Sequence, residues 1–358
     1  MNATQGRQAT VADTARSLIF CLMVSGLLGC AQNKPAGANS GAQTASANPA
    51  AVAENATAGR EALPPDTAPP PHIDAAKAMD YARQVVSFGP RYINSPGHKK
   101  TEQFLRAHLK GDDLEEDAFT TFTPAGNLPM VNFIAKFPGS QNGIVVLAGH
   151  YDTLYGRNDF VGANDAASDT GLLLEIADYL RAQKKRPGYS IWLVWLDGEE
   201  AIKQWSDTDS VYGARHLAAK WQKDGTAKNI KGFLLADMIG DKDLDIDRDQ
   251  NSTPWLEDLV GQAATRLGYQ SHFFQRLNAV EDDHLPFARM GVPVADLIDF
   301  SYGYNNVFWH SPQDTLDKLS PQSLGIVGDV MLETARLLPA HNRLSLSHWR
   351  PDRVTSGR

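Results

Sequence analysis

A run of six apolar residues that ends directly in acids limits the fold of this chain more than any other segment does. Residues 191–196 read IWLVWL, and Asp197, Glu199 and Glu200 follow at once. Such a run is typical of a strand that is buried on both faces, as in a parallel sheet covered by helices. Ligands of these sheets bind outside the carboxyl ends of the strands, so the acids fall where a site is expected.

The rest of the chain alternates between strand and helix patterns. We predict helices at 75–88, 97–109, 170–184, 212–221, 255–267 and 321–338, and strands at 131–137, 144–149, 190–196, 232–238 and 292–298. This alternation favours an α/β fold, with a single domain over residues 72–358 and a central, mostly parallel mixed sheet flanked by helices.

The N-terminal segment reads as an export signal. Arg7 and Arg16 precede an apolar run at 17–28 that is too short to span a membrane comfortably. The run ends in LLGC, which resembles a bacterial lipobox and implies that Cys30 is lipidated after residues 1–29 are removed. Residues 31–71 carry almost no large apolar side chains, so we expect residues 30–71 to be a disordered tether. We therefore expect an exported protein, anchored by lipid to a bacterial cell membrane.

Composition excludes some classes of partner. The net charge is −8 and the basic residues form no long cluster, which argues against nucleic-acid binding. The two cysteines, Cys21 and Cys30, both lie in the N-terminal segment, so the domain has no disulfide. We expect a monomer that touches the membrane only through its lipid.

Acids and histidines follow the ends of several predicted strands. His150 follows one strand, Asp237 ends another, Asp165 precedes a helix and His310 lies in the last long loop. Alone, each has an ordinary explanation: Asp165 could cap a helix and His150 could be a satisfied core histidine. Together with Glu200 they offer the imidazole and carboxylate ligands that Zn²⁺ takes in proteins.

Five segments then resemble one known family. They are GHYDT (149–153), FVGANDAASDTGLLLE (160–175), LDGEEAIKQWSDTDSVYGARHLAAK (196–220), EDDHLPFARMGVPV (281–294) and VFWHSPQDT (307–315). They look like the zinc-dependent glutaminyl cyclases of the animal type, which share the fold of the co-catalytic zinc aminopeptidases. The resemblance implies one Zn²⁺ per chain, held by Asp165, Glu200 and His310.

The resemblance also implies roles for the neighbouring residues. Glu199 would be the acid/base, with Asp237 and Asp283 in the hydrogen-bond network around it. Trp205 and Trp309 would wall the pocket for the N-terminal residue of the substrate. Asp296, which we group with these substrate-binding residues, stands where the animal enzymes typically carry a histidine near the base.

The implied reaction converts an N-terminal glutamine of a peptide or protein to pyroglutamate. The α-amine attacks the γ-carboxamide carbon of the same residue and ammonia leaves, so the substrate supplies proximity itself. One alternative is an aminopeptidase with two metals, for which His150 and Asp237 would be the additional ligands. The insertion at 201–211, which contains Trp205, favours the cyclase. Another alternative is a binding protein on an inactive peptidase fold.

Overall fold

Eight strands and seven α-helices make up residues 68–348, the part of the chain that the computed structural model describes. The strands are β1 (Asp113–Thr123), β2 (Gly126–Phe137), β3 (Gln141–His150), β4 (Tyr189–Leu196), β5 (Ile230–Asp237), β6 (Ile246–Asp249), β7 (Phe273–Asn278) and β8 (Val294–Ile298). The helices are α1 (Ala75–Ser87), α2 (Pro96–His108), α3 (Ala167–Ala182), α4 (Tyr212–Asp224), α5 (Pro254–Leu267), α6 (Leu285–Ala288) and α7 (Pro321–His348). The predicted signal peptide, Cys30 and most of the predicted tether lie outside the described residues.

Six strands form the central sheet, in the order β1-β2-β4-β3-β5-β8. β4, β3, β5 and β8 run parallel to one another, β2 is antiparallel to β4, and β1 is antiparallel to β2. The predicted α/β fold with a mixed, mostly parallel sheet is therefore confirmed.

Three strands were not predicted from the sequence. β1 reads DLEEDAFTTFT and contains no continuous apolar run. It pairs only with β2, at the edge of the central sheet. β6 has four residues and pairs with β7 in a separate two-stranded sheet. Strands with a solvated face or very short length leave little apolar periodicity to detect.

Helices cover both faces of the central sheet, and β4 shows this most clearly. Leu193 and Trp195 pack into the cluster that contains residues of α1, α3, α5 and α7, whereas Val194 and Leu196 pack against α4 on the other face. All four side chains are fully buried. Burial of each contributes roughly 1.5–3 kcal/mol. The apolar run therefore forms a strand that is buried on both faces, as expected.

Helix α7 is longer than predicted. The sequence predicts a helix at 321–338, which ends one residue before Pro339. It continues through Pro339 to His348 and has 28 residues. Despite this length, no helix within residues 68–348 is apolar enough over a sufficient length to cross a membrane.

The parallel strands bring the predicted site residues to one edge of the sheet. His150 is the last residue of β3, Asp237 is the last residue of β5, and Glu199 follows β4 by three residues. Asp165 lies just before α3, and His310 lies in the loop between β8 and α7. Because the carboxyl ends of parallel strands meet at the same edge, these side chains converge.

Candidate metal centre and substrate pocket

Two groups of ligand-type side chains lie side by side at this edge and share Asp165. In the first group, Nε2 of His310 lies 3.3 Å from Asp165 Oδ2 and 3.4 Å from Glu200 Oε1. In the second, Nε2 of His150 lies 3.3 Å from Asp165 Oδ1 and 3.4 Å from Asp237 Oδ1. Each histidine thus directs one nitrogen at two carboxylates, which is the arrangement of ligands around a metal ion.

Unsatisfied buried atoms support the same interpretation. Both carboxylate oxygens of Glu200, Oδ1 of Asp237 and both ring nitrogens of His150 are buried without a hydrogen-bond partner. Burying such atoms without partners is costly, so each requires an explanation such as an ion. The donor set of imidazole nitrogen and carboxylate oxygen fits a divalent cation such as Zn²⁺.

The side chains of the first ligand group strongly change one another's pKa. From the protein groups alone, burial and the adjacent Asp165 raise the pKa of Glu200 to about 7. Burial lowers the pKa of His310, but Glu200 and Asp165 outweigh it and raise the pKa to about 10. The charged form of Glu200 is thus disfavoured by the protein groups, and a bound cation would favour it.

Glu199 lies beside the metal ligands but belongs to neither group. Its Oε2 is 3.9 Å from Nδ1 of His150, and its side chain lines the same pocket as Glu200. Burial raises the pKa of Glu199 well above its ordinary value, and the Glu200 carboxylate raises it further. A buried carboxyl of this kind can hold a proton and release it, as a general acid/base must.

Asp152, which we did not predict as a site residue, fixes the two glutamates. Its Oδ1 accepts the backbone N–H of Glu199 at 3.0 Å, and its Oδ2 accepts that of Glu200 at 3.3 Å. Gly198 precedes them with φ of +69°, and a Cβ there would lie 2.8 Å from Met130 Sδ. An acid two residues after a strand-end histidine was the available signal for Asp152.

Asp314 and Arg91, also unpredicted, hold the loop that carries Asp165. Asp314 accepts the backbone N–H groups of Asn164 at 2.8 Å and of Asp165 at 3.1 Å. Arg91 is fully buried and donates to the carbonyl oxygens of Tyr151, Val161 and Gly162. These bonds fix the single loop between β3 and α3 near both of its ends.

A cavity of about 470 Å³ opens onto the ligand groups. Its lining includes Leu154, Asp165, Glu199, Glu200, Trp205, Asp237, Asn278, Val280, Glu281, Asp282, Phe300, Trp309 and His310. The Trp205 indole donates to Glu281 Oε2 at 3.3 Å. The Trp309 ring stacks on His310 with ring centroids 4.1 Å apart. The two predicted tryptophan walls therefore lie around one pocket, next to the candidate metal ligands.

Two predicted site residues do not line this pocket. Asp282, rather than Asp283, lines the cavity. Asp283 is buried and neither of its carboxylate oxygens has a hydrogen-bond partner. Asp296 is fully buried within β8, where it lies near His284. Asp296 is not among the residues that line the cavity, and its role as a substrate-binding residue stays a prediction.

Comparison with known proteins identifies related chains. The family model described as "Peptidase family M28" matches residues 132–335. A glutaminyl-peptide cyclotransferase-like protein of Bos taurus is 34% identical over 264 residues, which cover 65% of this chain and 68% of that protein. The glutaminyl-peptide cyclotransferase of Drosophila melanogaster is 30% identical over 269 residues, 66% of this chain and 75% of that protein.

A solved structure agrees with these relatives. The crystal structure of an Acidobacteriales bacterium glutaminyl cyclase superposes with a TM-score of 0.74 at 52% sequence identity. The match covers 76% of this chain and 97% of that one. The similarity therefore extends over nearly the whole of the related protein.

Proposed function

This chain belongs to the M28 peptidase family and, within it, to the glutaminyl-peptide cyclotransferases, and we propose the following assignment of roles to its residues. The enzyme converts the N-terminal glutamine of a peptide or protein to pyroglutamate and releases ammonia. Asp165, Glu200 and His310 would hold one Zn²⁺. The chemistry that this ion supplies when bound is Lewis-acid polarisation of the γ-carboxamide carbonyl of the substrate.

The residues around the cavity carry out the remaining tasks. Trp205 and Trp309 would enclose the glutaminyl side chain, excluding water and fixing its carboxamide carbon within reach of the α-amine. Glu199 would take a proton from the attacking α-amine and deliver one to the departing amide nitrogen, so that ammonia leaves and no net proton is lost.

The observation that carries this assignment is that two adjacent glutamates have different surroundings. Glu200 belongs to a ligand group, whereas Glu199 lines the same cavity outside both groups. Ammonia release from a glutaminyl peptide, measured together with zinc content, tests the assignment. One zinc per chain with ammonia release supports it, whereas a zinc-loaded enzyme that leaves the glutaminyl peptide intact contradicts it.

A second candidate function rests on the other ligand group. His150 and Asp237 complete, with Asp165, a second set of metal-facing atoms, as a two-metal aminopeptidase requires. Such an enzyme would hydrolyse an N-terminal peptide bond. Cleavage of a leucyl anilide by a protein that holds two zincs would favour this activity over cyclisation.

We further propose that the enzyme acts outside the cytoplasm as a lipid-anchored monomer. The support is the basic flank, the short apolar run and the LLGC sequence that ends at Cys30. Its substrates would then be exported peptides or proteins that begin with glutamine.

A further inference from the structure

A third group of buried ionisable side chains lies behind the substrate pocket. Asp249, His284 and Asp296 are each at most 1% exposed, and none of them lines the cavity. Their ligand-type atoms lie within 4.8 Å of one another, as in the two groups at the metal centre. Both ring nitrogens of His284 and both carboxylate oxygens of Asp296 are buried without a hydrogen-bond partner, so the close contacts within this group require an explanation.

The contacts of His284 differ from those of the metal-facing histidines. His150 and His310 each direct a single nitrogen, Nε2, at two carboxylates. His284 instead places Nε2 at 3.2 Å from Asp249 Oδ2 and Nδ1 at 3.6 Å from Asp296 Oδ2. The two ring nitrogens point in different directions, so one metal ion cannot take both. The geometry is that of an imidazole between two acids.

Asp249 is fixed by donors outside this group. Its Oδ1 accepts the backbone N–H groups of Val280 at 3.0 Å and Asn251 at 3.1 Å. Its Oδ2 accepts the hydroxyl of Ser252 at 2.8 Å and also faces Nε2 of His284. These bonds hold the Asp249 carboxylate in the orientation in which it faces the imidazole.

His284 ends a turn that reaches the active site. The turn contains the consecutive residues Asp282, Asp283 and His284, and Asp282 lines the same cavity as Glu199. His284 faces the interior instead, towards β6 through Asp249 and towards β8 through Asp296. β6 and β8 belong to different sheets. The imidazole therefore connects the turn to both sheets at once.

We propose that His284 is a positioning residue: by bridging Asp249 and Asp296 it holds the turn at 281–284, and with it Asp282, in place beside Glu199. This inference rests on the proposed cyclisation reaction. Displacement of a group beside the reacting atoms by about 1 Å can cost about 10²-fold in rate, although the group itself does not react.

The test compares two variants of His284 with a matched control. His284→Leu removes both ring nitrogens at similar volume, and we expect kcat for a glutaminyl peptide to fall about 10- to 100-fold, with KM within about twofold of wild type. His284→Gln keeps an N–H donor for Asp249 and should recover most of this loss. Zinc per chain should be unchanged in both. The control is His108→Gln, which removes another histidine that contacts an acid, Asp178 at 3.0 Å, outside the pocket.

Three outcomes would overturn the proposal. The first is a folded His284→Leu enzyme with wild-type kcat, and the second is a rise in KM with kcat unchanged, which would indicate a role in binding. The third is loss of metal from His284→Gln, which would make His284 a ligand. Wild-type protein that fails to release ammonia would instead refute the proposed function.

NMR of ¹⁵N-labelled histidine in the wild-type protein tests the bridge without turnover, and it also decides the case if His284→Leu does not fold. The acids that face the ring are Asp249 from β6 and Asp296 from β8. A ring held between the two acids should give ring N–H signals that exchange slowly with water. Ring N–H signals that exchange with water too fast to be observed would refute the bridge.

Discussion

Glu199 and Glu200 are adjacent in sequence but differ in what they face. Glu200 directs Oε1 at Nε2 of His310, whereas Glu199 borders the cavity and approaches only Nδ1 of His150. Asp152 holds both backbone N–H groups, so the two side chains diverge from one anchored point. One residue of the pair can therefore bind a metal while its neighbour moves protons.

Replacement of Glu199 by glutamine should separate these two roles. Glu199→Gln keeps the shape of the side chain and leaves the ligand groups intact, so we expect wild-type zinc content. Cyclisation should slow by about 10² to 10⁴, the usual effect of removing acid/base catalysis. Glu175→Gln is the control, because Glu175 is also buried but lies outside the pocket. Near-normal turnover by purified Glu199→Gln would exclude Glu199 as the proton carrier.

Alanine at each metal-facing histidine should distinguish one metal from two. His310→Ala leaves Asp165 and Glu200 as the only ligands of the first group, too few for a firm site, so zinc and activity should disappear together. In a one-zinc cyclase, His150→Ala should retain about one zinc and lose rate only through altered geometry. Elemental analysis after dialysis measures both. A wild-type value of two zincs that falls to one in His150→Ala would favour the aminopeptidase.

At the level of elements, the end of β4 is anchored by helix α2. Nε2 of His98 lies 2.8 Å from Asp197 Oδ1, and its Nδ1 lies 3.2 Å from Glu102 Oε1 in the same helix. The other oxygen of Asp197 accepts the backbone N–H of Val131 in β2 at 2.9 Å. Asp197 is two residues before Glu199, so this contact also supports the position of the acid/base.

The His98 contact should make stability depend on pH. Burial lowers the pKa of His98, but Asp197 and Glu102 outweigh it and raise the pKa from 6.5 to about 10. The folded state therefore binds a proton more tightly than the unfolded state does. The resulting stabilisation is complete below about pH 6.5 and is lost as the pH rises through about 10.

Urea unfolding of His98→Gln between pH 6 and 10 measures this contribution. We expect a loss of about 3 to 5 kcal/mol at pH 6, the range for removing one partner of a buried ion pair, and a smaller loss at pH 10. His108→Gln, in the same helix, is the control, since burial lowers the pKa of His108. Equal destabilisation by His98→Gln at both pH values would show that the pair is not charged.

On the scale of the whole molecule, the described domain begins far along the chain from the proposed lipid anchor. Ile73 is buried, and its backbone N–H donates to Asp329 Oδ1 of α7 at 2.9 Å. His72 Nδ1 lies 2.8 Å from the other oxygen of Asp329. The segment at His72 and Ile73 is therefore joined to α7 by these contacts, and the domain boundary at residue 72 stays a prediction.

Substitution of the proposed lipidation site tests the localisation. Cys30→Ala removes the thiol that would carry the lipid, so we expect no acylation and no cleavage before residue 30. Mass spectrometry of the N-terminus and membrane fractionation of cells measure the result. Cys21→Ala, which changes the other cysteine, is the control and should retain the lipid. An unmodified wild-type protein whose N-terminus lies elsewhere would refute the anchor.

The sequence alone determined the features that depend on neighbouring residues. The run at 191–196 specified a strand buried on both faces, because its apolar side chains alternate between two helix layers. Strand ends then placed His150, Glu200 and Asp237 at one edge, since parallel strands share a direction. The residue types alone suggested a metal site, because imidazole nitrogen and carboxylate oxygen are ligands that Zn²⁺ takes in proteins.

Only the tertiary structure decided which loop side chains face the pocket and which face the interior. Asp282 lines the cavity while its neighbour Asp283 is buried, and no local pattern distinguishes two consecutive aspartates in a turn. Asp152 and Asp314 accept hydrogen bonds from backbone N–H groups that are 47 and 150 residues away in the sequence. The direction of a loop side chain is set by such distant contacts, because a turn lacks the periodicity that orients side chains in strands and helices.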